Sequence, residues 1–404
     1  MDSSEEKNNG EKKLDVNMLV EMLDIRPLEN VLGVEMLQPK QVLYICPEGT
    51  GKNMETQLKT YFTHRNLEMP LSFVTVNTYD TWELIPMFRE YLEKHPDAVI
   101  DITGGTDAVL FAAGQASAET NNPVITYSRT QNKLYSIQNA QAIHGMPCDI
   151  TLTVEDCFLM AGGHLRQGRV DNSILSGYLD DIGPFFSVFL KYRTRWDRIV
   201  TYIQRVSAAR EDGSYSLEVE GSYTVKGEQG GRVEAPEEAL RNLEEIRMIS
   251  DLKITEKETV SFRFRDAQVR YWLRDVGSVL ELYIYKACLD SGLFYDVITS
   301  AIVDWNVPDK KGKTVSNELD VMCTRGIMPV FISCKTSMIK TEALNELAVL
   351  RDRFGGHMAR AAIVTATRAG SPARNRAAEL NIRVIDLNDL QKDGALADAI
   401  RKLV

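Results

Sequence analysis

Long apolar runs are missing from this 404-residue sequence, and nothing in it approaches the roughly 18 consecutive apolar residues of a membrane-spanning helix. The opening stretch MDSSEEKNNGEKK also lacks the apolar centre of a secretory signal. We therefore expect a disordered tail over residues 1–13, a cytoplasmic protein and no membrane attachment. Cysteine is sparse: Cys46, Cys148, Cys157, Cys288, Cys323 and Cys334 are scattered through apolar runs with no C-x-x-C, which excludes a zinc ribbon and points to buried reduced thiols. The five histidines show no metal-ligand spacing. Net positive charge is absent too. At −10, the chain has no field for a constitutive, non-specific grip on nucleic acid, so any such grip must be local or switched on. No internal repeat or low-complexity tract marks a solenoid.

What remains is the composition of an ordinary globular chain, 44% hydrophobic and 26% charged, long enough for two or three domains. From residue 14 to about 140, short aliphatic runs (KQVLYICP, LSFVTVN, AVIDITGG) alternate with longer helical ones (KNMETQLKTYFTHRN, TWELIPMFREYLEKH, DAVLFAAGQASAE). That alternation predicts a largely parallel sheet with helices on both faces, a Rossmann-like domain whose ligand loops follow the strands. Residues 141–260 are less regular and read as a connector, with one helix over Tyr178 to Val206 and a polar hairpin or loop over SYSLEVEGSYTVKGEQGG. A second α/β pattern fills 261–404. It has a long helix over Asp266 to Gly292, paired strands around NELDVMCT and PVFISCK, a helix, a strand, a helix and a last strand.

The strands NELDV and ISCKT raise a chemical question, because an apolar run that ends in a half-buried lysine needs an anionic neighbour. Asp320 and Lys335 become neighbours if a short turn at Thr324 to Met328 joins antiparallel strands. Glu318 then shares a strand face with Asp320, and Ser333 shares one with Lys335. Glu281, on the preceding helix, lies where it could add a ligand or orient water. Hydrolysis of a phosphodiester needs a divalent ion on hard oxygens and positive charge near the phosphate, and carboxylates with one lysine supply those parts. A plain cross-strand ion pair is the competing account.

Two loops of the first domain suggest a ligand. Thr103-Gly104-Gly105-Thr106 joins a strand to a small-residue helix, so the backbone can approach a phosphate or ribose and the hydroxyls can reach it. The loop PEGTGKN is not a P-loop, since Cys46 stands where the pattern needs glycine and Asn53 where it needs Ser or Thr. It nevertheless places Glu48, Gly49 and Thr50 on the same sheet edge, with the loops Asp24 to Pro27 and Asn77 to Asp80.

Together GSVLELY, NELDV, ISCKT and FGG resemble the PD-(D/E)xK nuclease domain of the CRISPR-associated Rossmann fold (CARF) nucleases of type III CRISPR systems, and the first domain resembles their sensor. The resemblance implies an α/β chain with an N-terminal Rossmann-like CARF domain (14–140), a connector (141–260) and a C-terminal restriction-endonuclease-like domain (261–404). It implies Mg²⁺ or Mn²⁺ at Asp320 and Glu281, and RNA or DNA as substrate. Activation would come from a cyclic oligoadenylate, cyclic tetra-adenylate above all, held by Thr103 to Thr106 with Glu48, Gly49, Thr50 and Asn77 across a homodimer axis. One position departs from the pattern: Ser333 stands where the superfamily usually has an acid. Glu318, Glu281, the Ser333 hydroxyl or the backbone carbonyl of Cys334 could take that ligand's place.

Arg263, Arg265, Arg270, Arg274, Lys310, Lys311, Lys313, Arg374 and Arg376 are candidate phosphate contacts, with Tyr271 and Trp272 as candidate base-stacking residues. The rival functional class is a ligand-sensing transcription regulator with an inactive nuclease-like domain, which would bind duplex sequence-specifically and cut nothing.

Overall fold

The computed structural model describes residues 15–49, 51–166, 168, 172–208, 215–227, 230–305 and 314–404. The expected tail (1–13), Thr50, Lys310, Lys311 and Lys313 lie outside the described residues. The chain folds as two compact units. The first runs to Thr151 and adds Asp156–Gly162 and Gly356–Met358; the second holds Leu152–Glu155, Gly163–Gly355 and Ala359–Val404.

In the first unit the order is β1 (Leu19–Met22), α1 (Leu32–Leu37), β2 (Val42–Pro47), α2 (Gly51–His64), β3 (Leu71–Val76) and α3 (Thr81–Lys94). Then come β4 (Val99–Asp101), α4 (Asp107–Thr120), β5 (Val124–Ser128), β6 (Lys133–Gln138) and β7 (Met146–Pro147). The seven strands are ordered β3-β2-β1-β4-β5-β6-β7. The first five run parallel, and β6 and β7 run antiparallel to their neighbours. Chain direction across the sheet reverses between β1 and β4, the switch point where open α/β sheets leave a crevice for ligands. The helices dock through simple periodicity. Leu84, Phe88 and Leu92 recur every four residues on α3, while Ala112, Ala113 and Ala116 on α4 are small enough to let the two helices pack closely.

After α5 (Val154–Met160), the second unit adds β8 (His164–Arg166), α6 (Leu179–Tyr192), α7 (Trp196–Val206), β9 (Glu218–Ser222), β10 (Thr224–Lys226), β11 (Arg232–Glu234), α8 (Glu237–Glu245), β12 (Ile249–Thr255) and β13 (Thr259–Phe264). There follow α9 (Ala267–Leu273), α10 (Ser278–Asp290), β14 (Asp296–Asp304), β15 (Ser316–Arg325), β16 (Met328–Lys335), α11 (Thr341–Gly355), β17 (Arg360–Thr365), α12 (Ser371–Glu379), β18 (Ile382–Ile385), α13 (Leu387–Gln391) and α14 (Ala395–Arg401). Its main sheet is ordered β18-β17-β16-β15-β14-β8, with β14, β15 and β16 an antiparallel meander and β16, β17 and β18 parallel. Side chains of α6, α7 and α8 share one core with those of α10, β15, β16 and β17, so these helices and the C-terminal elements are packed together.

Two expected helices are each broken in two. The run Tyr178 to Val206 is interrupted by a 3-10 turn at Arg193–Arg195, which lets Trp196 meet Phe185 and Phe189 edge-on. Asp266 to Gly292 breaks between α9 and α10 because Asp275 collects the N–H groups of Gly277 and Ser278 (3.0 and 2.7 Å) and the Ser278 hydroxyl (2.9 Å). A local side-chain acceptor outcompetes continuation of the helix there. All six cysteines are buried free thiols, and among the described residues no helix is long and apolar enough to cross a membrane.

Candidate functional site

A tight turn at Gly326 and Ile327 joins β15 to β16, and Gly326 takes the positive φ (+57°) that the turn requires. The register places Val321 opposite Ile332, hence Asp320 opposite Ser333. Period-two alternation then turns Glu318, Asp320, Ser333 and Lys335 toward one face, while Val321, Ile332 and Cys334 enter the core.

Three donors converge on one oxygen of Asp320. Its Oδ2 accepts from the Cys334 N–H (2.6 Å), the Ser333 hydroxyl (3.0 Å) and the Lys335 ammonium (3.2 Å). Burial alone would lower the pKa of Lys335; the adjacent Asp320 charge, its hydrogen bond, and the nearby Cys334 and Glu281 more than offset this, so the net shift is upward. The lysine is a fixed positive charge. Its side chain stays 38% exposed, enough to meet a group arriving from solvent.

Glu281 approaches the same place from α10. Burial first, then the Asp320 charge, push its carboxyl up to about 8, and the Ser300 hydroxyl, donating to Oε2 at 2.9 Å, opposes the shift. A Cβ at Gly277 would lie 2.7 Å from Glu281 Oε1, so the glycine leaves room for the carboxylate. Glu318, Asp320, Ser333, Lys335 and Glu346 line a cleft of about 210 Å³. Glu346, on α11, is oriented through a chain that sequence reasoning missed: Trp305 Nε1 donates to Asn317 Oδ1 (2.7 Å), and Asn317 Nδ2 donates to Glu346 Oε1 (2.7 Å). The signal was present, since Asn317 stands next to Glu318 on the acidic strand.

Among the described residues no three His, Cys, Asp or Glu side chains already stand close enough to hold a metal. The donor set is nonetheless that of a hard cation. Burial, and then the charge of Asp320, raise Glu281, a strain a cation would relieve, and an ion such as Mg²⁺ needs only one or two carboxylates, its other positions going to water and substrate. The site fits such an ion.

The expected basic contacts are largely engaged elsewhere. Arg263 pairs with Glu218, Arg265 with Asp181 and Asp266, Arg374 with Asp386, and Arg376 with Glu379. Arg270 is buried, donates to the Ser207 carbonyl (2.9 Å) and lies over the Tyr215 ring. Burial lowers the pKa of Arg274. Trp272 is wholly buried in the core and cannot stack on a base, a correction to the sequence reading; its indole packs edge-on against Tyr178.

In the first unit the Thr103–Thr106 turn follows β4 at the switch point. The Thr103 N–H donates to Asp101 Oδ1 (2.8 Å), its hydroxyl also reaches Asp101, and the Tyr127 N–H donates to that hydroxyl (2.9 Å). Gly105 has a φ of +102° and donates its N–H to Asp24 Oδ2 (2.9 Å), tying this turn to the loop after β1. A Cβ at Gly104 would come within 3.0 Å of the Met22 carbonyl. Thr106 precedes α4 with its hydroxyl buried and without a hydrogen-bond partner.

Arg26 pairs with Asp24, and Arg129 with Glu29. Arg129 follows β5 on the same sheet edge, and the switch-point rule alone could have found it. Glu48, Gly49 and Asn77, in the loops after β2 and β3, are exposed. So are Ile25, Tyr79 and Trp82, each at least 85% accessible.

Residues 267–402 match the family described as Card1-like, endonuclease domain, which bears out the resemblance read from the C-terminal motifs. No curated protein matches the chain. Among solved structures, protein VC1899 from Vibrio cholerae is similar with a TM-score of 0.73 and 17% identity, over 96% of this chain and 97% of that one. Can2 from Sulfobacillus thermosulfidooxidans, solved in complex with cyclic tetra-adenylate, is similar with a TM-score of 0.67 and 17% identity over the same shares. These likenesses bear out the α/β architecture across nearly the whole chain.

Proposed function

We propose that this chain is a metal-dependent endonuclease of type III CRISPR defence, cleaving RNA or DNA by phosphodiester hydrolysis when cyclic tetra-adenylate binds its first unit. The observation that carries the reading is Lys335 Nζ standing 3.2 Å from Asp320 Oδ2, with Glu281 converging from the neighbouring helix, inside a segment matching an endonuclease domain. Asp320 and Glu281 would hold Mg²⁺ or Mn²⁺ with the Cys334 backbone carbonyl, and the ion supplies a water of lowered pKa and charge neutralisation at the phosphate. Lys335 offers a compact positive charge to the phosphate oxygens. The Ser333 hydroxyl and Cys334 N–H fix the rotamer of Asp320, which keeps its carboxylate aimed into the cleft.

Supporting the sensor half, the glycine turn lies at the switch point with the Thr106 hydroxyl unpartnered, and Arg26 and Arg129, each paired with an acid, follow β1 and β5 on the same edge, groups that suit a phosphate-bearing nucleotide ligand. Can2 binds cyclic tetra-adenylate on a similar fold. The exposed Ile25, Tyr79 and Trp82 on that edge suit bases or the second copy of a homodimer. Cytoplasmic action accords with free buried thiols.

The test is cleavage of labelled single-stranded RNA, single-stranded DNA and supercoiled plasmid with Mg²⁺ or Mn²⁺, with and without cyclic tetra-adenylate. Cutting that needs both metal and activator supports the reading. Equal cutting without activator sinks the switch, and sequence-specific duplex binding with no cutting favours the transcription regulator.

A further inference from the structure

Ser300 lies in the middle of β14 with a φ of +50° and is only 2% exposed. Of the eleven non-glycine residues with positive φ among the described residues, ten are exposed and Ser300 alone is buried. Five of them are asparagine, which tolerates this conformation through local hydrogen bonds; serine has much less of that tolerance. Something must hold it there.

The restraints are visible. The Asn172 carboxamide brackets the preceding residue, donating to the Thr299 carbonyl (2.9 Å) and accepting the Thr299 N–H (2.9 Å). The Thr299 hydroxyl donates to the Asp320 carbonyl (2.7 Å), locking β14 to the acidic strand. Gly168 presses its backbone against the Ser300 carbonyl, where any Cβ would collide. The ladder pairs Thr299 with Val321 and Ala301 with Leu319, which sets Ser300 directly across from Asp320. The outcome of this distortion is one contact, the Ser300 hydroxyl donating to Glu281 Oε2 at 2.9 Å. If the strand needed only a bend, glycine would adopt the same φ without penalty, as it does at Gly326 in the neighbouring hairpin.

We propose that Ser300 is a positioning residue of the cleavage centre: the strained strand aims its hydroxyl at Glu281 and so fixes that carboxylate beside Asp320. The proposal rests on the endonuclease reading above. Ser300 does not touch substrate; it acts through Glu281.

The full-length protein, Ser300→Gly and Ser300→Ala separate strain from positioning. Glycine relieves the backbone and removes the hydroxyl, whereas alanine removes the hydroxyl and keeps the strain. For Ser300→Gly we expect melting without metal at or above the wild type, kcat of activator-stimulated cleavage lowered about tenfold, unchanged KM for nucleic acid, and Mn²⁺ binding weakened several-fold by direct titration. Ser300→Ala should lose kcat alike but melt lower. A Ser300→Gly variant that keeps wild-type kcat and Mn²⁺ affinity overturns the proposal. A wild type that binds Mn²⁺ without cutting defeats the endonuclease reading alone, and the Mn²⁺ comparison still decides the role of Ser300. A wild type that neither cuts nor binds Mn²⁺ overturns both.

Discussion

The Ser333 hydroxyl lies 3.0 Å from Asp320 Oδ2, so the position where a second acid is expected is occupied by a hydrogen-bond donor to the first. An acid there would put two carboxylates on one cross-strand pair, at a cost offset only by a cation between them. Serine spares the site that repulsion.

Replacing Ser333 with Asp should therefore destabilise the metal-free protein and strengthen metal binding together. Melting in EDTA is expected to fall by several degrees, with the gap closing in millimolar Mn²⁺ and the Mn²⁺ affinity rising roughly tenfold. Thermal scans with and without Mn²⁺ check this. A variant as stable as wild type in EDTA would show that Asp320 does not feel position 333.

Lys335→Ala should cost catalysis far more than stability. The lysine is partly exposed, so its ion pair contributes at most about 1 kcal/mol, and Asp320 keeps the Ser333 and Cys334 donors. Cleavage is expected to drop by roughly 10²–10³ with little change in melting. Lys335→Arg should not restore it, because a planar guanidinium fork does not present its charge as a compact ammonium does. Retained cutting in Lys335→Ala would move the chemistry elsewhere.

How much of this was legible in the sequence depended on whether the signal was local. Strand periodicity in NELDV and ISCKT sufficed to bring Asp320, Ser333 and Lys335 to one face, because a tight hairpin leaves the register little freedom. The parallel sheet of the first unit was equally readable from its β-α alternation. Helix ends were not: Asp275 and the Arg193–Arg195 turn break runs whose apolar periodicity continues across them. Ser300 was invisible because its φ is imposed by Asn172 and Gly168, more than a hundred residues away. Nor could spacing show that Arg263 pairs with Glu218 and Arg265 with Asp181, since those partners are remote in the chain, although the Arg265–Asp266 and Arg376–Glu379 pairs are local.

Gly105→Ala tests the proposed ligand turn of the first unit. At a φ of +102°, a Cβ would lie 2.7 Å from the Met22 Cβ, so the turn must shift and release its N–H from Asp24, at a strain of about 1–3 kcal/mol. Activation by cyclic tetra-adenylate is expected to weaken at least tenfold, while metal binding at Asp320 stays unchanged. Full activation at wild-type ligand concentration would mean that this turn does not meet the ligand.

Glu21 and Asp101 give the first unit a pH dependence of defined sign. They pair in register across β1 and β4, both wholly buried, and both oxygens of Glu21 and the Oδ2 of Asp101 lack a hydrogen-bond partner. A Cβ at Gly33 would strike both, so the pocket they share is tight. Burial pushes Asp101 up to about 6; burial and then the Asp101 charge push Glu21 well above the usual carboxylate range. Both groups bind protons more tightly folded than unfolded, so their contribution is full below about pH 4 and is lost as pH rises through the folded values. For Asp101 the loss amounts to roughly 3 kcal/mol, complete somewhat above pH 6, and Glu21 extends the decline to higher pH. Glu21→Gln removes one charge and offers an amide donor to Asp101, so it should raise stability at pH 8 and flatten the profile. Hydrogen exchange of the β1 and β4 amides from pH 5 to 8, corrected for intrinsic rates, measures it. Protection that does not fall with pH in the wild type, or that falls equally in Glu21→Gln, would show that the pair is not what titrates.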